Sequence, residues 1–364
     1  MSEPTQEEVI SIVSSIFDVS AMDLALDSLH FKIENEQFKS KFVQLAQKLE
    51  SLELVCRLEQ MPDGLYVRVW KFPPKKKSGW KGSSWTPRIL FMVVIGFVMI
   101  DGYFRTVDSN TVVNIGDPLE MAGIYTLSLL GILGVHESGH LVAAKFHKLK
   151  TTWPYFIPGI PYFGIPTFGA FIQAKGLTIN REILYDVAIA GPIAGLIITV
   201  IVSMYGAYTA PVIDSEIVEG LSENVRLIEW ERGEPLLMTV TLSMFGKGGD
   251  GQEVLMTPLL FAAWLGFLIT FLNLLPAWQL DGGHMARTLF GKKWHKYATY
   301  ASMAVLVLLG YWLMAMLILL LSSRSSGAQP LDDYSPLSKN RKLLYILVIV
   351  LAILCAPISP MGLF

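Results

Sequence analysis

The sequence predicts an α-helical polytopic membrane protein of about six transmembrane helices, preceded by a small α+β soluble domain. Three observations carry this reading. The 364 residues are 52% hydrophobic and only 16% charged, with a mean hydropathy of +0.46, outside the usual range of soluble domains. From residue 89 onward, apolar runs such as Met121–Ala144 and Val254–Leu280 recur at lengths suited to a bilayer. The loops between them alternate in charge. Residues 145–181 hold Lys145, Lys148, Lys150, Lys175 and Arg181, whereas residues 209–257 hold nine Asp or Glu against Arg226, Arg232 and Lys247. That alternation fits six crossings with both termini cytoplasmic.

Composition also excludes several classes. A net charge of −2 argues against a nucleic-acid partner, which would demand a clustered basic surface. The two cysteines, Cys56 and Cys355, are far apart, so neither a disulfide framework nor a thiolate metal site is expected. The first 20 residues carry Glu3, Glu7, Glu8 and Asp18 and no Lys or Arg, the wrong pattern for a cleaved signal or transit peptide. A prokaryotic cell membrane is the expected location, with an organelle membrane as the alternative.

Residues 1–72 read as the cytoplasmic α+β domain. Gln37 to Leu49 has helical spacing, with Phe38, Phe42, Leu45 and Leu49 on one stripe. Two apolar segments, 52–58 and 65–70, flank Met61-Pro62-Asp63-Gly64 and predict a hairpin. Residues 73–88 form a basic linker whose Trp80 and Trp85 suit a membrane interface. Residues 89–364 form the transmembrane domain. Its spans are expected at Ile89–Ile100, Met121–Ala144, Val187–Tyr208, Val254–Pro276, Tyr297–Leu321 and Leu343–Leu363. The first has only 12 residues before Asp101, and crosses only if the helix continues through Gly102–Val107. Gly191, Ala194 and Gly195 in the third permit close approach of another helix. Residues 153–175, rich in Pro, Gly and aromatics, cannot be a regular helix. Within them Phe168–Gln173 could make a short strand beside the membrane helices; a re-entrant loop with only a packing role is the alternative.

The chemistry concentrates in His136-Glu137-Ser138-Gly139-His140, set within the second span. Ionisable groups in lipid are expensive and mark function by default. On a helix, His136 and His140 share one face, which lets both imidazoles bind one metal ion. Glu137 sits about 100° round the helix, placed to reach a water at the metal rather than the metal itself. A hydrolytic zinc wants three protein ligands and an open fourth position. The third candidate is Asp281, at the end of the uncharged run Val254–Leu280. His284 could be a fourth ligand, a neighbour of the ligands, or an interfacial residue. His147 and His295 sit among lysines and are expected to be solvated.

Together, His136-Glu137-x-Gly139-His140 (HExGH) and Asn273-x-x-Pro276-x-x-x-x-Asp281-Gly282 (NxxPxxxxDG) make this sequence resemble the site-2 protease family of intramembrane metalloproteases. Gly191-Pro192 is a weaker third point of likeness. The resemblance covers roughly residues 89–364 and does not involve residues 1–72. It implies one zinc ion per chain, held by His136, His140 and Asp281, with Glu137 as general base and Asn273 as a donor to the developing oxyanion. For Asn273, an interhelical hydrogen bond is the competing role. It further implies a transmembrane protein substrate, and reception of that substrate by the strand near 168–173. Pro276 is expected to break the fourth helix and Gly282-Gly283 to loosen the chain after Asp281. The alternative function is a metal or proton transporter whose pathway uses the same His, Glu and Asp. Oligomeric state is not legible.

Overall fold

A computed structural model describes residues 5–25, 28–34, 38–71, 85–149, 151, 154–162, 164–171, 178–214, 233–249, 252–324 and 329–358. The linker reading for 73–84, the strand positions Ile172 and Gln173, and the end of the sixth span beyond Ile358 lie outside these residues.

The N-terminal unit contains α1 (Gln6–Ser14), β1 (Val19–Ala25), β2 (Ser28–Ile33), α2 (Phe38–Ser51), β3 (Leu54–Met61) and β4 (Gly64–Lys71). Its sheet is antiparallel in the order β1-β2-β4-β3. The expected helix and hairpin are present, the hairpin turning between Met61 and Gly64. Sequence reasoning missed α1 and the β1–β2 pair. The start of α1 was nevertheless signalled by a capping box: the Glu8 N–H donates to the Thr5 hydroxyl, and the Thr5 N–H donates to the Glu8 carboxylate. Val13, Phe31, Phe42, Leu45, Leu49 and Val67 are fully buried between helices and sheet. Burial pushes the Cys56 thiol up to about 12, so it behaves as a small apolar side chain.

This core does not stop at the sheet. Ile179, Ile183 and Leu331 complete it. The N–H of Leu58, on the edge strand β3, donates to the Leu331 carbonyl, and the Leu331 N–H donates to Thr178. Lys39 pairs with Glu182 at 2.6 Å. The segment 329–338 is thus pinned between the N-terminal unit and the start of a membrane helix.

Three helices are long and apolar enough to cross a membrane: α3 (Thr86–Asn110), α4 (Pro118–Phe146) and α5 (Arg181–Thr209). The first span is therefore not short. Asp101 is tolerated inside α3 because Arg105 Nε, one turn on, donates to it at 2.8 Å and the Tyr125 hydroxyl of α4 at 2.7 Å. Between α4 and α5, β5 (Tyr155–Pro158) and β6 (Thr167–Phe171) form an antiparallel hairpin, so the expected strand has a partner in its own loop. Beyond α5, β7 (Val212–Asp214), β8 (Glu234–Pro235), α6 (Leu236–Met244) and β9 (Gln252–Val254) make up the described part of the acidic excursion.

The later spans differ from expectation. The fourth is the 17-residue α7 (Pro258–Leu274). The fifth is not one helix: α8 (Asp281–Leu308) is kinked at Gly291, where φ is +78°, and α9 (Trp312–Arg324) follows a turn at Gly310, φ +82°. Only glycine adopts those angles freely, so an apolar run of the right length is folded in pieces. The sixth, α10 (Lys339–Cys355), ends where the short strand β10 (Pro357–Ile358) pairs with β8.

Phe42→Ala should destabilise the N-terminal unit by about 3–5 kcal/mol, the usual range for emptying a fully buried ring site. The check is limited proteolysis, with faster cutting in residues 1–72 and in the segment 329–338 that closes their core.

Candidate metal centre

The spacing of His136 and His140 on α4 brings their Nε2 atoms to 3.2 Å from one another. Asp281 Oδ2 stands 3.4 Å from each. Three ligand atoms thus form a nearly equilateral triangle. Four-coordinate zinc, with bonds of about 2.0–2.2 Å, separates neighbouring ligand atoms by about 3.3–3.6 Å. The triangle fits such an ion with a fourth corner to spare, and two imidazoles plus a carboxylate are a donor set that suits zinc. The tautomer agrees. His140 Nδ1 lies 2.7 Å from the Val187 carbonyl, which can only accept, so Nδ1 carries the proton and the Nε2 lone pair faces the triangle. Among the described residues, His136, His140 and Asp281 are the only such group.

Helix α5 makes this geometry sterically available. A Cβ on Gly191 would stand 2.1 Å from His140 Nε2, and one on Gly195 would stand 3.0 Å from His136 Nδ1. From the other side, a Cβ on Gly139 would meet the Ala190 carbonyl at 2.5 Å. The imidazoles lie in a cradle that side chains at 191 and 195 would fill. The glycines were expected to admit a neighbouring helix; α4 does pack closely on α5, and at 191 and 195 the groups admitted are its ligand rings.

The third ligand arrives after the break expected near Pro276: α7 stops at Leu274, residues 275–280 turn back, and Asp281 opens α8. Gly282 and Gly283 do not loosen the chain. They lie inside α8, where Cβ atoms would stand 2.1 Å from the Leu274 carbonyl and 2.4 Å from that of Ala277. Their role is to let the returning turn press on the helix start. That turn is held by the Trp278 N–H donating to Thr299 Oγ1 at 3.0 Å. Farther along α8, the buried Arg287 pairs with Asp333, which also takes Arg181 at the head of α5.

Glu137 is buried beside His136, with 6% exposure, and stands outside the ligand triangle. Asn273 is half-buried, next to the last residue of α7. His284 is on α8 and lies outside the cluster of ligand atoms. Of the two histidines expected to be solvated, His295 is 8% exposed within α8, while His147 at the end of α4 is partly exposed and pairs with Asp186 at 3.2 Å. Val187 and Thr299 were also missed; one acts through its backbone and the other sits in an unremarkable stretch.

A membrane-helix scaffold with a two-histidine, one-carboxylate triangle defines a metal-binding site set among helices apolar enough to cross a membrane. The sequence profile described as Peptidase family M50 matches residues 124–317, more than half of the chain, and the chain belongs to that family. This bears out the resemblance to site-2 proteases. Among curated relatives, the "Probable zinc metalloprotease EGY2, chloroplastic" of Arabidopsis thaliana is 32% identical over 175 residues, covering 48% of this chain and 30% of that protein. The corresponding EGY1 protein is 31% identical over 233 residues, covering 62% and 41%. EGY2 of Oryza sativa subsp. indica is 32% identical over 180 residues, covering 49% and 31%. The chain spans less than half the length of these relatives. No solved structure matches it.

Gly191→Ala should push the His140 ring out of the triangle and weaken metal binding by about 10–100-fold, the loss typical of misoriented ligands. Metal content after dialysis against a graded chelator series would show it; unchanged retention would mean the cradle does not set the ring position.

Proposed function

We propose that this chain is an intramembrane zinc endopeptidase that hydrolyses peptide bonds in or near transmembrane segments of membrane proteins. The observation that carries the proposal is the triangle of His136, His140 and Asp281, with edges of 3.2–3.4 Å and two corners on a helix long and apolar enough to cross a membrane. Membership of Peptidase family M50 and the printed names of the relatives, zinc metalloproteases, support it.

His136, His140 and Asp281 would hold one zinc ion per chain. When bound, zinc supplies Lewis acidity to a water and to the scissile carbonyl. Glu137 takes a proton as the water oxygen bonds to the carbonyl carbon, then returns it to the amide nitrogen as the C–N bond breaks. Asn273 is assigned the hydrogen bond to the oxyanion, in addition to the metal. The β5–β6 hairpin offers backbone partners to a substrate that must leave its helix to be cut.

The organisation follows: residues 1–72 as a cytoplasmic domain, 73–88 as a basic linker, 89–364 as the membrane domain. About six crossings are inferred, with α7, the outer part of α8 joined to α9, and α10 supplying those beyond the three long helices. Both termini are then cytoplasmic. A prokaryotic cell membrane and an organelle membrane both fit, and the chloroplast names of the relatives favour testing the second. The transporter reading is weaker, because its ionisable groups would be spread along a path and these converge on one point.

Glu137→Gln should retain zinc and lower cleavage of a reconstituted single-span substrate by about 10²–10⁴-fold. His136→Ala and Asp281→Ala should instead lose metal. Undiminished cleavage by the Gln variant, or full metal occupancy in Asp281→Ala, would defeat the assignment.

A further inference from the structure

Asp101 is fully buried in the middle of α3, and its carboxylate serves more than its neighbouring arginine. Oδ2 accepts from Arg105 and from the Tyr125 hydroxyl. Oδ1 accepts the backbone N–H of Tyr162 at 2.8 Å. Arg105 in turn lies 3.4 Å from the centroid of the Phe261 ring on α7. Gly102 makes room, since a Cβ there would stand 2.6 Å from the Tyr125 ring.

Tyr162 is at the tip of the β5–β6 hairpin and has φ +66°. A non-glycine residue keeps that conformation only where its surroundings impose it. The strand end of the hairpin lies elsewhere along α3: the Phe156 ring packs 4.8 Å from that of Phe91, which is about 15 Å along the helix from Asp101. Its second strand, β6, touches α4, the helix that carries both histidines. The hairpin therefore runs along α3 from Phe91 to Asp101 with β6 against α4, and Asp101 ties its far end. A buried ion pair is a poor way merely to stabilise two helices, because desolvation offsets its attraction. An apolar pair would pack α3 on α4 as well. It could not capture a backbone N–H at a fixed depth.

We propose that Asp101 is a positioning residue that fixes the hairpin's depth and register relative to the metal centre, and thereby selects which substrate bond is cut. The inference rests on the proteolytic reading above. An added strand keeps its side chains on the same faces only when it slips by two residues. A hairpin released from Asp101 should then admit substrate in neighbouring registers, with cleavage sites two residues apart.

The test compares two charge-balanced double variants on the full chain with a single-span substrate, reading product masses, KM and kcat, and bound zinc. Asp101→Asn with Arg105→Gln keeps an acceptor for the Tyr162 N–H and should give the wild-type product. Asp101→Leu with Arg105→Gln removes the acceptor. It should keep zinc, yield products differing by two residues, and lower kcat/KM by roughly 10–100-fold. Identical products from both variants, with only thermal stability reduced, would overturn the proposal. Should the Leu variant not fold, amide exchange on the wild type decides: a slowly exchanging Tyr162 amide supports the anchor and a fast one overturns it. Wild-type protein that cuts nothing would end the proteolytic reading and the register role with it. Normal wild-type cutting with indistinguishable variants would end the register role alone.

Discussion

Two imidazole lone pairs and a carboxylate oxygen, 3.2–3.4 Å apart among apolar helices, repel one another unless a cation lies between them. That electrostatic requirement governs the rest of the membrane domain. It explains why α5 is bare at 191 and 195, where any side chain would occupy the space of a ring. It also explains why the chain turns back after Leu274: Asp281 must meet rings on α4 from the start of a new helix. The pull between ion and ligands is strong at short range and in low dielectric, but only if the backbone holds the donors in advance.

The backbone does so through contacts that lie one step behind the ligands. The Val187 carbonyl orients His140. Val187 follows Asp186, which is gripped by Arg341 with two bonds of 2.7 Å and by His147. Asp333 joins Arg287 of α8 to Arg181 of α5. Both ligand-bearing helices, α4 through His147 and α8 through Arg287, are thus braced against α5 by ion pairs, the second brace running through the segment before α10.

Much of this was legible in the sequence, and unevenly so. The triad members were legible because charge in an apolar run is conspicuous and because the i, i+4 spacing has one geometric meaning on a helix. Residues 37–49 and the hairpin at 61–64 were legible because periodicity and turn chemistry agreed there. The breaks at Gly291 and Gly310 were not, since a glycine inside an apolar helix looks the same whether it packs or turns. The new helix that opens at Asp281 was not legible for a related reason: hydropathy is continuous across residues 254–280 while the backbone is not. The burial of Asp101 was illegible because its partners, Tyr125 and Tyr162, are remote in sequence and one of them contributes only a backbone N–H.

The shared core of the N-terminal unit bears on how the protein is made. Arg57 meets Gln329 across 272 positions, and Ile179, Ile183 and Leu331 close a cluster that otherwise belongs to residues 9–69. A ribosome would have released the first 72 residues long before Ile179, Ile183 or Leu331 emerged. During synthesis that nascent sheet carries an uncovered apolar face, sealed only after the membrane helices have inserted and returned the chain to the same side. Completion of the N-terminal unit therefore waits on the chain beyond residue 178, and until then its apolar face stays uncovered.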